Sequence, residues 1–181
     1  MTGVSDAELY ARGAATLVAS WEAYARGAPG AAVRRTPGVV SAVFPHEPER
    51  IVYNNALLER DLAAAERADS LDAMEAAYAD AGVTQFAAWV HEGDTAMCAD
   101  LGRRGYTFDS ATRAMGMALA DARLPRPQLE LGSLAWGEYV RLFGLPEGLL
   151  SGADHGAFDL VVACLGGEPV ASALAFDHDG D

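Results

Sequence analysis

Phe158-Asp-Leu-Val-Val-Ala-Cys-Leu-Gly-Gly-Glu-Pro-Val-Ala-Ser-Ala-Leu-Ala-Phe176, with the tail that runs on to Asp181, decides how the rest of the chain is read. Phe158, Leu160, Val162 and Cys164 alternate with a second set of residues. Val170, Ser172, Leu174 and Phe176 do the same after Gly166-Gly167. Alternation marks a strand, and a Gly-Gly pair between two such runs marks a hairpin. A lone hairpin is marginal in water and needs further strands or a helix against it. Nothing in the sequence follows Asp181 to supply them, so the stretch predicts the opening of a second unit whose remainder lies elsewhere.

Working backwards, Asp121-Ala-Arg-Leu-Pro-Arg-Pro127 is polar and broken by proline, the composition of a linker. The sequence therefore divides into a unit at 1–120, a linker at 121–127 and an incomplete unit at 128–181. In the first unit, Ser5-Asp-Ala-Glu8 is a capping box that opens a helix. Leu9, Leu17, Trp21 and Tyr24 form its expected apolar stripe, and Gly27 and Pro29 end it. Val39 to Phe44 reads as a strand stopped by Pro45, and Arg50 to Leu58 as another. Asp69-Ser70 is the expected start of a helix with Leu71, Met74, Tyr78 and Ala81 on one face and Gly82 as its stop. Phe86-Ala-Ala-Trp-Val90 is apolar on both faces, as a covered central strand would be. Asp94 or Thr95 caps a short helix closed by Gly105, with Arg103 and Arg104 suited to its carboxyl end. Arg113 to Leu119 alternates as a strand. A short helix is expected from Trp136 to Phe143. Strands interleaved with helices place the chain in the α/β (α+β) class.

Composition excludes more than it selects. Half of the 181 residues are apolar, which rules out wholesale disorder. The formal net charge of −13 disfavours nucleic acid and anionic membranes as partners. It also repels an anionic ligand such as coenzyme A, unless local donors overcome the overall field. Two cysteines, Cys98 and Cys164, read as small apolar residues. With no disulfide framework, no leader-like start and no apolar run near ~20 residues, a cytoplasmic setting fits best.

The block from Asp69 to Leu119 resembles the second half of a GNAT-superfamily N-acetyltransferase. A helix ends in Ala81-Gly82-Val83, the strand Phe86 to Val90 follows, and the next helix closes as Leu101-Gly-Arg-Arg-Gly105-Tyr106, similar to the family's Tyr-x-x-x-Gly-Phe ending. The segment from the first helix to Leu58 would be the family's first half, and 128–181 the start of a second copy. The resemblance implies an acyl-CoA N-acyltransferase-like mixed central sheet flanked by helices. It implies transfer of an acetyl group from acetyl-CoA to a primary amine of a small molecule or peptide, without a metal.

Members of that family cradle the pyrophosphate in an Arg/Gln-x-x-Gly-x-Gly/Ala loop at a helix start. The loop should lie between Leu58 and Ser70. Glu59-Arg-Asp-Leu-Ala-Ala-Ala-Glu-Arg-Ala-Asp69 stands there, without glycine and with four carboxylates that repel phosphate. Arg113-Ala-Met-Gly116-Met-Ala118 fits the pattern literally but lies in a strand, where it does not count. The family's general-acid tyrosine corresponds to Leu101, which cannot transfer a proton. The first unit is thus expected to be degenerate, with the acetyl-CoA loop beyond residue 181. The runner-up expectation is a non-catalytic ligand-sensing or protein-interaction module on the same fold, dimerising or pairing through the C-terminal hairpin.

Other candidates are fewer. Asn54 and Asn55 sit in a predicted strand, where asparagine is disfavoured. They mark either a bulge or strand edge, or the wall of a substrate cleft facing the second unit. Trp89 is either a core anchor, like Trp136, or part of that wall. His46 and Glu47 lie in a Pro-bounded loop, as a general base or as a solvated connection. His91, His155 and His178 share no metal-ligand spacing. Asp177-His-Asp-Gly-Asp181 lacks the distal ligand of a calcium loop and reads as a polar turn. No Gly-x-Ser-x-Gly elbow is present.

Overall fold

A computed structural model describes residues 5–112, 125, 129–146, 150, 152–153 and 155–178. The expected strand at Arg113 to Leu119 lies outside them, as do the literal loop match there and all of the proposed linker but Pro125. Among the described residues the architecture is mixed α and β, with four helices and two sheets.

The chain opens with α1 (Asp6–Ala25), where Ser5 Oγ accepts the Glu8 N–H at 3.3 Å. Three strands follow: β1 (Ala32–Thr36), β2 (Val39–Val43) and β3 (Asn55–Leu58). Helix α2 (Ala64–Asp80) crosses to β4 (Ala87–Trp89), and α3 (Thr95–Arg103) comes next. The first sheet runs β1-β2-β3-β4, antiparallel except for the parallel pair β3–β4. A helix must bridge a parallel pair, and α2 does so. The second sheet, β5 (Glu130–Gly132), β6 (Phe158–Leu165) and β7 (Glu168–Phe176), is antiparallel throughout, with α4 (Trp136–Leu142) between β5 and β6. Gly166 and Gly167, at φ +61° and +85°, make the predicted hairpin turn.

Both faces of the first sheet are covered. Val40, Ala42, Phe44 and Leu57 pack with Val18, Trp21 and Ala25 of α1 and with Tyr139 and Val140 of α4. Val39, Val43, Ala56 and Leu58 pack with Leu71, Met74 and Tyr78 of α2 and Met97 and Leu101 of α3. Alternate residues of one strand thus serve two helical layers, which is why β2 is apolar on both faces except at the buried Ser41. Tyr78 is fully buried; its hydroxyl donates to the Ala42 carbonyl at 3.2 Å, and its ring stacks on Phe86 at 4.0 Å. Tyr24 of α1 stacks on Phe158 of β6 at 4.9 Å, so the first helix touches both sheets.

Several expectations need correction. Strand β1 was not foreseen: its Arg34 and Arg35 are exposed, and its place is fixed by pairing with β2 rather than by alternation. Strand β5 was likewise missed, being short and exposed. Arg50 to Asn54 is not strand but turn, with the Tyr53 and Asn54 amides both donating to the Arg50 carbonyl. Helix α2 starts at Ala64, before Asp69-Ser70, and Ser70 lies buried inside it. The inward stripe of α1 runs Tyr10, Ala14, Val18, Trp21, Ala25; Leu9 is exposed. Trp136 packs against the α1 cluster as expected, but Trp89 is 37% exposed and is no core anchor.

Candidate functional site

Parallel pairing of β3 and β4 matches Asn55 with Ala87, Ala56 with Ala88 and Leu57 with Trp89. The two strands therefore leave the sheet side by side. Crevices beyond the carboxyl ends of parallel strands are where such sheets hold ligands. Glu59-Arg60-Asp61 follow β3 there, and Val90-His91-Glu92 follow β4. The first turns of α1 bring Tyr10 onto the same spot.

These side chains meet. The Arg60 guanidinium lies over the Tyr10 ring, 5.4 Å from its centroid. The His91 ring meets the same tyrosine edge-on at 5.0 Å. His91 Nδ1 accepts the Gly93 N–H at 3.0 Å, so in the neutral ring Nε2 carries the proton. Burial raises the Tyr10 pKa; Arg60 opposes that rise and Asp94 adds to it. Asp94 caps α3, accepting the Met97 N–H at 3.0 Å through one oxygen and the Asp61 N–H at 3.4 Å through the other. Asp61 itself takes a positive φ of 60°, a conformation aspartate tolerates in tight turns.

Beneath Tyr10 an open groove of about 400 Å³ runs between α1 and the sheet, walled by Ala14, Val40, Leu57, Leu58 and Arg60. Ala14 and Leu57 also wall a second hollow of about 330 Å³ further along α1, where the Arg35–Glu22 ion pair (2.6 Å) stands. The arrangement is a largely apolar trough with Arg60 at its head and Glu59 and Thr36 also in its wall.

The predicted site residues fall elsewhere. Asn54 is fully buried: its side-chain oxygen accepts the Phe44 N–H at 2.8 Å, and its nitrogen donates to the Glu47 and Arg50 carbonyls at 2.8 and 3.3 Å. That amide knots the 45–54 connection. Asn55 opens β3, donates to the Val52 carbonyl at 2.8 Å and accepts from Trp89 Nε1 at 2.8 Å. The structure thus joins Asn55 to Trp89 and leaves Asn54 apart, and neither asparagine lines the groove. Among the described residues no group of His, Cys, Asp and Glu is arranged to hold a metal ion.

Sequence reasoning missed Tyr10, Arg60 and the meeting of both with His91. One signal was present. With α2 starting at Ala64, Arg60-x-x-Ala63-x-Ala65 occupies the strand-to-helix loop and differs from Arg/Gln-x-x-Gly-x-Gly/Ala only by alanine at the first glycine. Two of the loop's amides are engaged internally: Glu66 Oε2 accepts the Ala63 N–H at 2.8 Å, and Asp94 takes that of Asp61. Leu101 of α3 is buried in the cluster that α2 and α3 form on the first sheet. Among the described residues no helix is long and apolar enough to cross a membrane. No family model matches the chain, and neither a curated protein nor a solved structure matches it.

Proposed function

We propose that the chain is an acyltransferase of the tandem GNAT type, in which the first unit is a degenerate copy and acetyl transfer to a primary amine belongs to the second. The observation that carries this reading is the connectivity of the first sheet. Three antiparallel strands are followed by a parallel β3–β4 pair bridged by α2, and α3 closes on Gly105 at φ +91°. A mixed sheet with helices on both faces supports the reading. β5, β6 and β7 form a sheet of their own, which the reading assigns, with α4, to the second unit. In the first unit, acetyl-CoA would meet amides already held by Glu66 and Asp94, and Leu101 offers no proton to a departing thiolate. In the second, backbone donors would polarise the thioester and a base would accept the amine proton.

The test uses the full-length protein with acetyl-CoA and a panel of primary amines, following thiol release. The expected outcome is acetylation that survives Arg60→Gln and Glu66→Gln. Loss of transfer in either variant would place the chemistry in the first unit and sink the assignment. One observation favours a second reading, a non-catalytic ligand-holding module: Arg60 heads an open groove, and among the described residues its buried Nε has no hydrogen-bond acceptor. Absence of thiol release with every amine would favour it.

A further inference from the structure

The Arg60 guanidinium is the anomaly of this fold. Its Nε is buried, and among the described residues it has no hydrogen-bond partner. The nearest carboxylate oxygen, Asp61 Oδ2, stands 4.0 Å away, too far for a hydrogen bond, on a side chain that is 83% exposed. A buried Nε–H without an acceptor is costly, while the side chain as a whole is 36% exposed and open to an incoming group; an arginine fork is shaped to receive a carboxylate or phosphate. Tyr10 presents its ring face to the guanidinium from one side. Behind it runs the trough of about 400 Å³, a size usual for small-molecule sites. Asp94 makes no hydrogen bond to the cation; each of its oxygens accepts an amide N–H instead.

We propose that this groove binds a small amphipathic monocarboxylate, its carboxylate on Arg60 and its apolar body along Ala14, Val40 and Leu57. Charge chooses the class. One arginine faces Glu59 and Asp61 nearby and a chain of net charge −13. That field tolerates a single negative charge held at short range and repels a dianionic phosphate. The apolar wall selects an alkyl or aromatic body over a sugar or free amino acid. The inference gives a ligand class to the first sheet and does not depend on whether the chain transfers acetyl groups; the acetylation assay and the titration below fail separately.

The probe is hexanoate, with hexanamide and hexyl phosphate as controls, titrated into the full-length protein at low ionic strength while NMR shifts are followed. The expected result is saturable hexanoate binding that perturbs the Tyr10 ring. Hexanamide should bind at least about tenfold more weakly, as loss of one charge-assisted pair predicts, and hexyl phosphate should be at least as weak because the surrounding carboxylates repel its second charge. Arg60→Gln should weaken hexanoate by a similar factor, and Arg50→Gln, a surface control, should leave it unchanged. Ala14→Leu, checked for native circular dichroism, should abolish binding by filling the wall. Hexanoate binding that is not saturable, that hexanamide or hexyl phosphate equals, or that survives Arg60→Gln or Ala14→Leu would overturn the proposal.

Discussion

Trp89 Nε1 donates to Asn55 Oδ1 at 2.8 Å across the parallel pair of the first sheet. Trp89 is half exposed and Asn55 almost fully buried, so the pair anchors a surface ring to an interior amide. Trp89→Phe keeps the ring's bulk and removes the donor, leaving a buried acceptor unpaired. The expected cost is about 1–2 kcal/mol, read as a lower urea midpoint with an unchanged slope. Combined with Asn55→Ala, the loss should be smaller than the sum of the two single losses. Additive losses would show that the bond contributes nothing.

Gly38, in the β1–β2 turn, sits at φ +79°, and a Cβ there would stand 2.9 Å from Leu62 Cδ1 and from Ser70 Cβ. Gly82 has a similar φ of +69° but open space around it. Gly82→Ala should therefore cost about 1 kcal/mol, for conformation alone, and Gly38→Ala about 2–3 kcal/mol, for conformation and crowding together. Thermal melts of the two variants measure the difference. Equal losses would mean that the β1–β2 turn does not rest on α2.

Burial, with lesser contributions from Tyr53 and Tyr139, pushes the Tyr24 hydroxyl up to about 12. Tyr78 and Tyr106 are raised as well, in each case chiefly by burial. In the unfolded chain these groups lose their protons near pH ~10. Between that pH and the folded value, the unfolded state holds fewer protons than the native one, so rising pH favours unfolding. Stability should be level below about pH 10 and fall steadily towards pH 12. Tyr24→Phe should make the fall shallower, as denaturant midpoints measured across that window would show.

Glu66 stands at the third position of α2 and accepts the Ala63 N–H at 2.8 Å, at a helix start whose cap residue has no polar side chain. Glu66→Ala should destabilise by about 1 kcal/mol, from the lost cap and the lost carboxylate at the helix's positive end. Glu66→Gln should lose less. Amide exchange at the first turn of α2 should rise in the alanine variant; unchanged exchange there would remove Glu66 as the cap.

What the sequence disclosed tracks how local each cause is. Ser5 and Asp94 cap their helices through bonds to residues three along, and Gly166-Gly167 turns a hairpin within its own span. Such features are visible in a short window. Strand β1 was hidden because Arg34 and Arg35 carry no apolar pattern, and only the register with β2 makes it a strand. The start of α2 was hidden because alanine stands at its cap, while Asp69-Ser70 offered a more usual beginning. Arg50 to Asn54 misled because a β-branched run turned into a knot tied by the Asn54 side chain. The candidate site was least legible. Tyr10, Arg60 and His91 come from three distant segments, and only the parallel register of β3 with β4, with α1 laid across, makes them neighbours.

Helix α1 roofs the trough at Tyr10 and Ala14 and leans on β6 through Tyr24 and Phe158. One helix therefore carries both the ring that meets Arg60 and the ring that meets Phe158, so a probe placed on the rear stack reports on the same element that covers the groove.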